Sequence, residues 1–190
     1  MLVGDTIYFD AAALGGTELW AHNISNHSTW RVVDIYTGSI GSDPGDRMAL
    51  LVGDTIYFDA DDGSTGDELW AHNTSNHSTW QVAEINNYMM MGGAGLGSYP
   101  GHYMAGSLGD TIYFSAAVEQ QGYELWAHDT SNRSTWRVAD IHSGSTSSNP
   151  GSWMEIFVDD TIYFSAQDGS TGYELWAHRP STIDFNTNTG

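Results

Sequence analysis

The pentapeptide Asp-Thr-Ile-Tyr-Phe occurs four times, starting at Asp5, Asp54, Asp110 and Asp160. Glu-Leu-Trp-Ala-His follows each time, starting at Glu18, Glu68, Glu124 and Glu174. Ser-Thr-Trp recurs at Ser28, Ser78 and Ser134, and Pro-Gly at Pro44, Pro100 and Pro150. Successive copies of the first motif lie 49, 56 and 50 residues apart. Four copies of one unit cannot be one irregular fold. They must form an array in which each unit buries its apolar surface against the next.

Each unit parses into four short segments, seen in the fourth copy as Trp153–Val158, Thr161–Ala166, Tyr173–His178 and Ser181–Phe185. The second is β-branched and aromatic, with turn residues on both sides, and reads as a strand. In Thr-Ile-Tyr-Phe-Ser-Ala, alternation points Ile, Phe and Ala one way and Thr, Tyr and Ser the other. Both faces are apolar enough to need covering. No segment shows helical periodicity over ten or more residues. Four strands per unit of this length predict β-propeller blades stacked face to face. We therefore expect an all-β chain, residues 1–190 forming a single propeller domain with blades at about 1–35, 48–85, 104–141 and 153–185. The favoured arrangement is one closed four-bladed ring. The alternative is half of an eight-bladed dimer, so that the chain is a monomer or a dimer.

Composition narrows the function. Twenty-four acids face five bases, all of them arginine, for a net charge of −19. Nucleic-acid binding through phosphates and attraction to anionic membranes both need basic clusters that this chain lacks. No stretch is long and apolar enough to insert in a bilayer as a helix. The absence of cysteine removes disulfides, thiolate metal sites and thiol nucleophiles. A lysine-free acidic surface stays hydrated in concentrated salt, which suggests a saline setting; a plain solubility bias is the alternative. The sequence enters the first repeat at Met1-Leu2-Val3 without a charged or apolar leader. Either a leader has been trimmed or the chain is a segment of something larger.

Ile56-Tyr57-Phe58-Asp59-Ala60-Asp61-Asp62-Gly63, then Gly66-Asp67-Glu68-Leu69-Trp70, then Asp129 to Thr135 and Val138-Ala139-Asp140-Ile141 together resemble the ELWxxDGT repeats of acidic microbial surface and secreted proteins. The resemblance recurs in all four copies. It implies a propeller-like fold and a secreted or cell-surface location, and it carries no catalytic residues. Two family glycines in the turn between the third and fourth segments are replaced, by Thr130 and Ser134 in one copy and by Ile24 and Ser28 in another. The turn type there is open, because glycine permits positive φ.

Several residue sets are candidates for function. The repeated His22, His72, His128 and His178 could ring a metal, or sit in the third strand and hydrogen-bond a neighbouring blade. The repeated glutamates of Glu-Leu-Trp suit loop bracing, since a buried acid must be hydrogen-bonded or paired. Asp59, Asp61 and Asp62 offer oxygens to Ca²⁺ without the spacing of a calcium loop, a solvated acidic turn being the competing reading. A cation or water on the central axis is a separate candidate. Trp30, Trp80 and Trp136 open the outer strands and could stack on sugars, whereas Trp20, Trp70, Trp126 and Trp176 are expected to pack between blades. The connection after the second unit is six residues longer than the others, and its Tyr88, Met89, Met90, Met91 and Tyr99 suit an adaptable contact surface. Asn-x-Ser sequons at Asn23, Asn26, Asn73, Asn76 and Asn132 all fall in the turns between the third and fourth segments. Near-identical blades favour a non-enzymatic binding or display module for a glycan or a protein. A glycan-processing enzyme and a purely structural repeat are the alternatives.

Overall fold

The computed structural model describes residues 1–89 and 95–180. They form strands and turns with no helix. Fifteen strands follow in chain order: β1 (Leu2–Val3), β2 (Thr6–Ala13), β3 (Gly16–Asn23), β4 (Ser28–Arg31), β5 (Ala49–Val52), β6 (Thr55–Asp61), β7 (Asp67–Asn73), β8 (Thr79–Ala83), β9 (Ala105–Leu108), β10 (Thr111–Val118), β11 (Gly122–Asp129), β12 (Ser134–Ala139), β13 (Glu155–Val158), β14 (Thr161–Gln167) and β15 (Tyr173–His178). Each copy makes one antiparallel meander, β1 to β4, β5 to β8, β9 to β12 and β13 to β15. The segment expected as a fourth strand of the last sheet, 181–185, lies outside the described residues.

The sheets stack through one recurring contact. Tyr8, Leu19 and Ala21 on the forward face of the first sheet meet Ile56, Phe58 and Ala60 on the rear face of the second. Equivalent residues join the second sheet to the third and the third to the fourth. The two-residue alternation of Thr-Ile-Tyr-Phe thus feeds two different interfaces from one strand. Burying such sets at about 25 cal/mol per Å² of apolar surface is what holds the array together. The third-strand tryptophans Trp70, Trp126 and Trp176 pack against these clusters, half-buried. The innermost strands β5, β9 and β13 adjoin one another. Gly106 of β9 is needed there, because a Cβ would fall 2.3 Å from the Phe157 ring of β13.

The expected closure into a four-bladed ring is not seen among the described residues. No core cluster joins the fourth sheet to the first. Leu175, on the forward face of the fourth sheet, is 66% exposed, whereas its counterpart Leu69 is fully buried.

The turn left open by the sequence is also defined. Its left-handed residue is His27, His77 or Arg133, at φ 59°, 60° and 62°. The family glycine positions are not where the chain turns left-handed. Asn23 instead accepts the Ser25 and Asn26 N–H groups at 3.1 Å each, and Asn26 accepts from Ser28 N–H at 2.9 Å. Side-chain oxygens therefore hold the turn.

Candidate functional site

The long connections between sheets are pinned at one end of the array by the repeated glutamates. Glu68 is buried in β7 and accepts from the Ile85, Asn86 and Ser98 N–H groups and from the Ser98 hydroxyl, the last at 2.6 Å. Glu18 and Glu124 do the same with Ser42 and Ser148. Burial pushes the Glu68 carboxyl up to about 7 against the pull of these donors. The loop-bracing role expected for the repeated acids is the role Glu18, Glu68 and Glu124 occupy, whereas Glu174 is exposed.

The braced connections and the first residues of the third strands carry the positions in which the copies differ. After each Pro-Gly the second residue is Arg47, Tyr103 or Trp153, and the residue before each repeated glutamate is Thr17, Asp67, Tyr123 or Tyr173. Arg47 reaches Asp59 at 3.1 Å and Asp67 at 3.3 Å, and its guanidinium lies over the Tyr99 ring at 4.9 Å. His102 stacks on Tyr123 at 5.0 Å, and Tyr103 meets the same ring edge-on at 5.1 Å. Trp153 meets Tyr173 at 6.0 Å, and the Tyr173 hydroxyl accepts from the Asn149 amide at 2.9 Å. The result is an aromatic band running from the second sheet to the fourth, with one arginine and two acids at its start. Beside it lies a cleft of about 420 Å³, whose lining includes Asn86, Tyr99, Glu119, Gln120, Tyr123 and Ser147.

Electrostatics set this end apart. Burial raises Asp67 to about 6, with Arg47 opposing the shift. Burial also raises Asp59, against backbone donors and Arg47. Tyr123 is pushed up to about 12 by burial and by its tyrosine neighbour Tyr103. Burial and the nearby Arg47 lower His102. Tyr99 has φ 51° at the position where the other copies place Asp43 and Asn149 at φ 47° and 48°. A bulky side chain held in the left-handed region is strain of the kind that clusters at binding sites.

The structure separates the residues singled out from sequence. Tyr88 and Met89 are about half exposed, and Met89 bridges to Gly95. Met90 and Met91 lie outside the described residues. The stem of this loop rests on the β6–β7 turn of its own sheet, where Gly95 N–H donates to Ser64 at 2.7 Å. Tyr99 belongs to the aromatic band. Trp30, Trp80 and Trp136 do not. Trp80 pairs with Ala71, four residues along β7 from Asp67, which puts it about 13 Å away towards the opposite end. Trp30 and Trp136 are 38% and 40% exposed, and Trp80 borders a separate cleft of about 300 Å³ with Asn76 and Arg133.

The three aspartates proposed for Ca²⁺ do not converge. Asp59 is buried in the sheet and spent on Arg47 and on the Arg47 and Met48 N–H groups, while Asp61 and Asp62 cap the following turn. Alternation puts Asp59 and Asp61 on one face, and their different partners, not the pleat, keep them apart, while Asp62 begins the turn. The described residues contain no group of three or more metal-binding side chains. The repeated histidines form no ring. His72 Nδ1 pairs with Thr79 at 2.8 Å in its own sheet, and its imidazole packs on Tyr8 of the preceding sheet. Sequence reasoning missed Arg47, His102, Tyr103, Tyr123, Trp153 and Tyr173. The signal for them was the set of columns in which otherwise matching copies disagree.

No protein-family model matches the chain, and no curated protein matches it. Among solved structures it is similar to the puromycin hydrolase S511A mutant complexed with PGG, with TM-score 0.59 and 12% identity over 93% of this chain and 25% of that one. TolB from Acinetobacter baumannii superposes with TM-score 0.47 at 14% identity, over 90% of this chain and 42% of that one. The chain thus spans a quarter of the length of the hydrolase. The fold is propeller-like. At these identities the likeness speaks for the fold alone.

Proposed function

We propose that this chain is a non-enzymatic, propeller-type binding module of an extracellular protein, and that it takes carbohydrate on the aromatic band at the braced end of its blades. The observation that carries this reading is the grouping of Tyr99, Tyr103, Tyr123, Trp153 and Tyr173 where the repeats diverge. Sugar rings present flat C–H faces to aromatic rings, and Gln120 and the hydroxyls of Tyr99 and Tyr123 line the cleft where sugar hydroxyls would sit. A site built from variable columns on a repeated scaffold is where loops carry function. The resemblance to acidic ELWxxDGT surface repeats supports the secreted or cell-surface setting, and the net charge of −19 supports a saline one.

Paired acids at the band raise the alternative of glycoside hydrolysis, because Asp67 sits well above the usual carboxylate range. Arg47 ties Asp59 and Asp67 to itself, which argues for a fixed ion cluster over a proton-transfer pair. A glycan array probed with the wild-type chain and with Tyr123→Ala separates the readings. Binding that Tyr123→Ala abolishes, with the glycan recovered intact, is the expected result. Recovery of cleaved glycan would make the chain an enzyme, and silence across the array would leave a structural repeat.

A further inference from the structure

The two ends of the array carry the two halves of one joint. Within the chain, each forward face offers Tyr, Leu and Ala, and each rear face offers Ile, Phe and Ala. On the fourth sheet the forward set is Tyr163, Leu175 and Ala177, all exposed. On the first sheet the rear set is Ile7, Phe9 and Ala11, none of them buried. Tyr163 is 38% exposed, against 6%, 5% and 2% for Tyr8, Tyr57 and Tyr113. Ile7 is also 38% exposed, against 3% for Ile56 and 0% for both Ile112 and Ile162. A second marker runs through the same joints. Tyr8 packs on His72 at 5.5 Å, Tyr57 on His128 at 5.6 Å and Tyr113 on His178 at 5.3 Å. Continued by one step, this series leaves Tyr163 at one end and His22 at the other.

We propose that the forward face of the fourth sheet takes the rear face of the first sheet of a second copy, so that two chains close an eight-bladed ring through two such joints. The proposal rests on the propeller reading above. The occupant follows from what the faces are. Each is the complement of a surface this chain makes itself, and the joint between them is already built three times internally. For the 190-residue chain taken by itself, counting then fixes the number of copies. Propellers usually have about four to eight blades, and whole copies of a four-bladed array can supply only four or eight. A four-bladed ring would cover Leu175 and Ile7, and both stand exposed. Eight is what remains, with a twofold axis relating the two copies and a head-to-tail contact used twice.

Light scattering on the 190-residue chain should give a particle of twice the 20.7 kDa chain mass, and Leu175→Asp should halve it with the circular dichroism unchanged. A wild-type particle of single-chain mass at micromolar concentration overturns the proposal. The chain has no cysteine, so cross-linking is clean. In Tyr163→Cys/His22→Cys, a short bis-maleimide should yield a covalent dimer, and neither single variant should link. A link inside one chain would mean a four-bladed ring, a ladder of higher polymers an open filament, and no link an unformed joint; each overturns the proposal. Tyr113→Cys/His178→Cys, placed at an internal joint, should link within one chain in either case. Failure of that control would fault the propeller reading itself.

Discussion

Tyr99 occupies a backbone position that its counterparts fill with residues suited to it. Asp43 and Asn149 adopt the same left-handed conformation at φ 47° and 48°, and such residues tolerate it far better than an aromatic. Tyr99 therefore costs about 1 kcal/mol in strain. Tyr99→Asn should raise the urea midpoint by the equivalent of up to about 1 kcal/mol while weakening glycan binding. A variant that is less stable and binds as well would contradict both assignments. At this scale the sequence was legible in part. The glutamates could be read as braces, because a repeated acid inside an apolar motif has to be satisfied. Asp59 could not be read, because its partner Arg47 lies twelve residues upstream in another strand connection. Proximity in sequence to Asp61 and Asp62 suggested a cluster, whereas Asp59 is drawn to Arg47 and Met48 and the other two to the following turn.

The strands themselves were plain. The second segment of the last copy was expected at 161–166 and is observed at Thr161–Gln167, and the third was expected and observed at Tyr173–His178. Period-two alternation with apolar residues on both faces leaves few other structures. What alternation could not show was the partner of His22, His72 and His128, in each case a threonine of the next strand in the same sheet. Three of the third-strand rings, His72, His128 and His178, titrate in a predictable direction. Burial lowers His72 to about 4, and also lowers His128 and His178. A folded pKa below the unfolded value of about 6.5 means that the folded state binds fewer protons. The stability tied to His72 is complete above pH 6.5 and is lost as pH falls towards 4. Glu68 acts in the opposite sense, losing stability as pH rises from about 4.5 towards 7. Urea unfolding of wild type and His72→Gln should diverge between pH 6.5 and 4.5, with the wild type losing about 2–3 kcal/mol more at most. Parallel profiles would remove His72 from the account.

For the whole molecule, the repeat count announced four blades but could not announce whether they close. Each copy specifies how it meets its neighbour, and the sum of those small rotations is not written in any one copy. The charge of −19 was legible outright, and it has a consequence for stability. Twenty-four acids on one compact chain repel one another, and salt screens that repulsion. Raising NaCl from about 10 mM to about 0.5 M should stabilise the fold by about 1 kcal/mol, or roughly 2–4 °C in Tm. A flat or falling Tm would show that the acids are already compensated. The sameness of the three joints reaches further still. Since any blade's front fits any blade's back, duplicating or losing one fifty-residue stretch of the gene leaves no misfit seam. The number of units in such a lineage can change by unequal recombination, in steps of a whole repeat, before any side chain has to adapt.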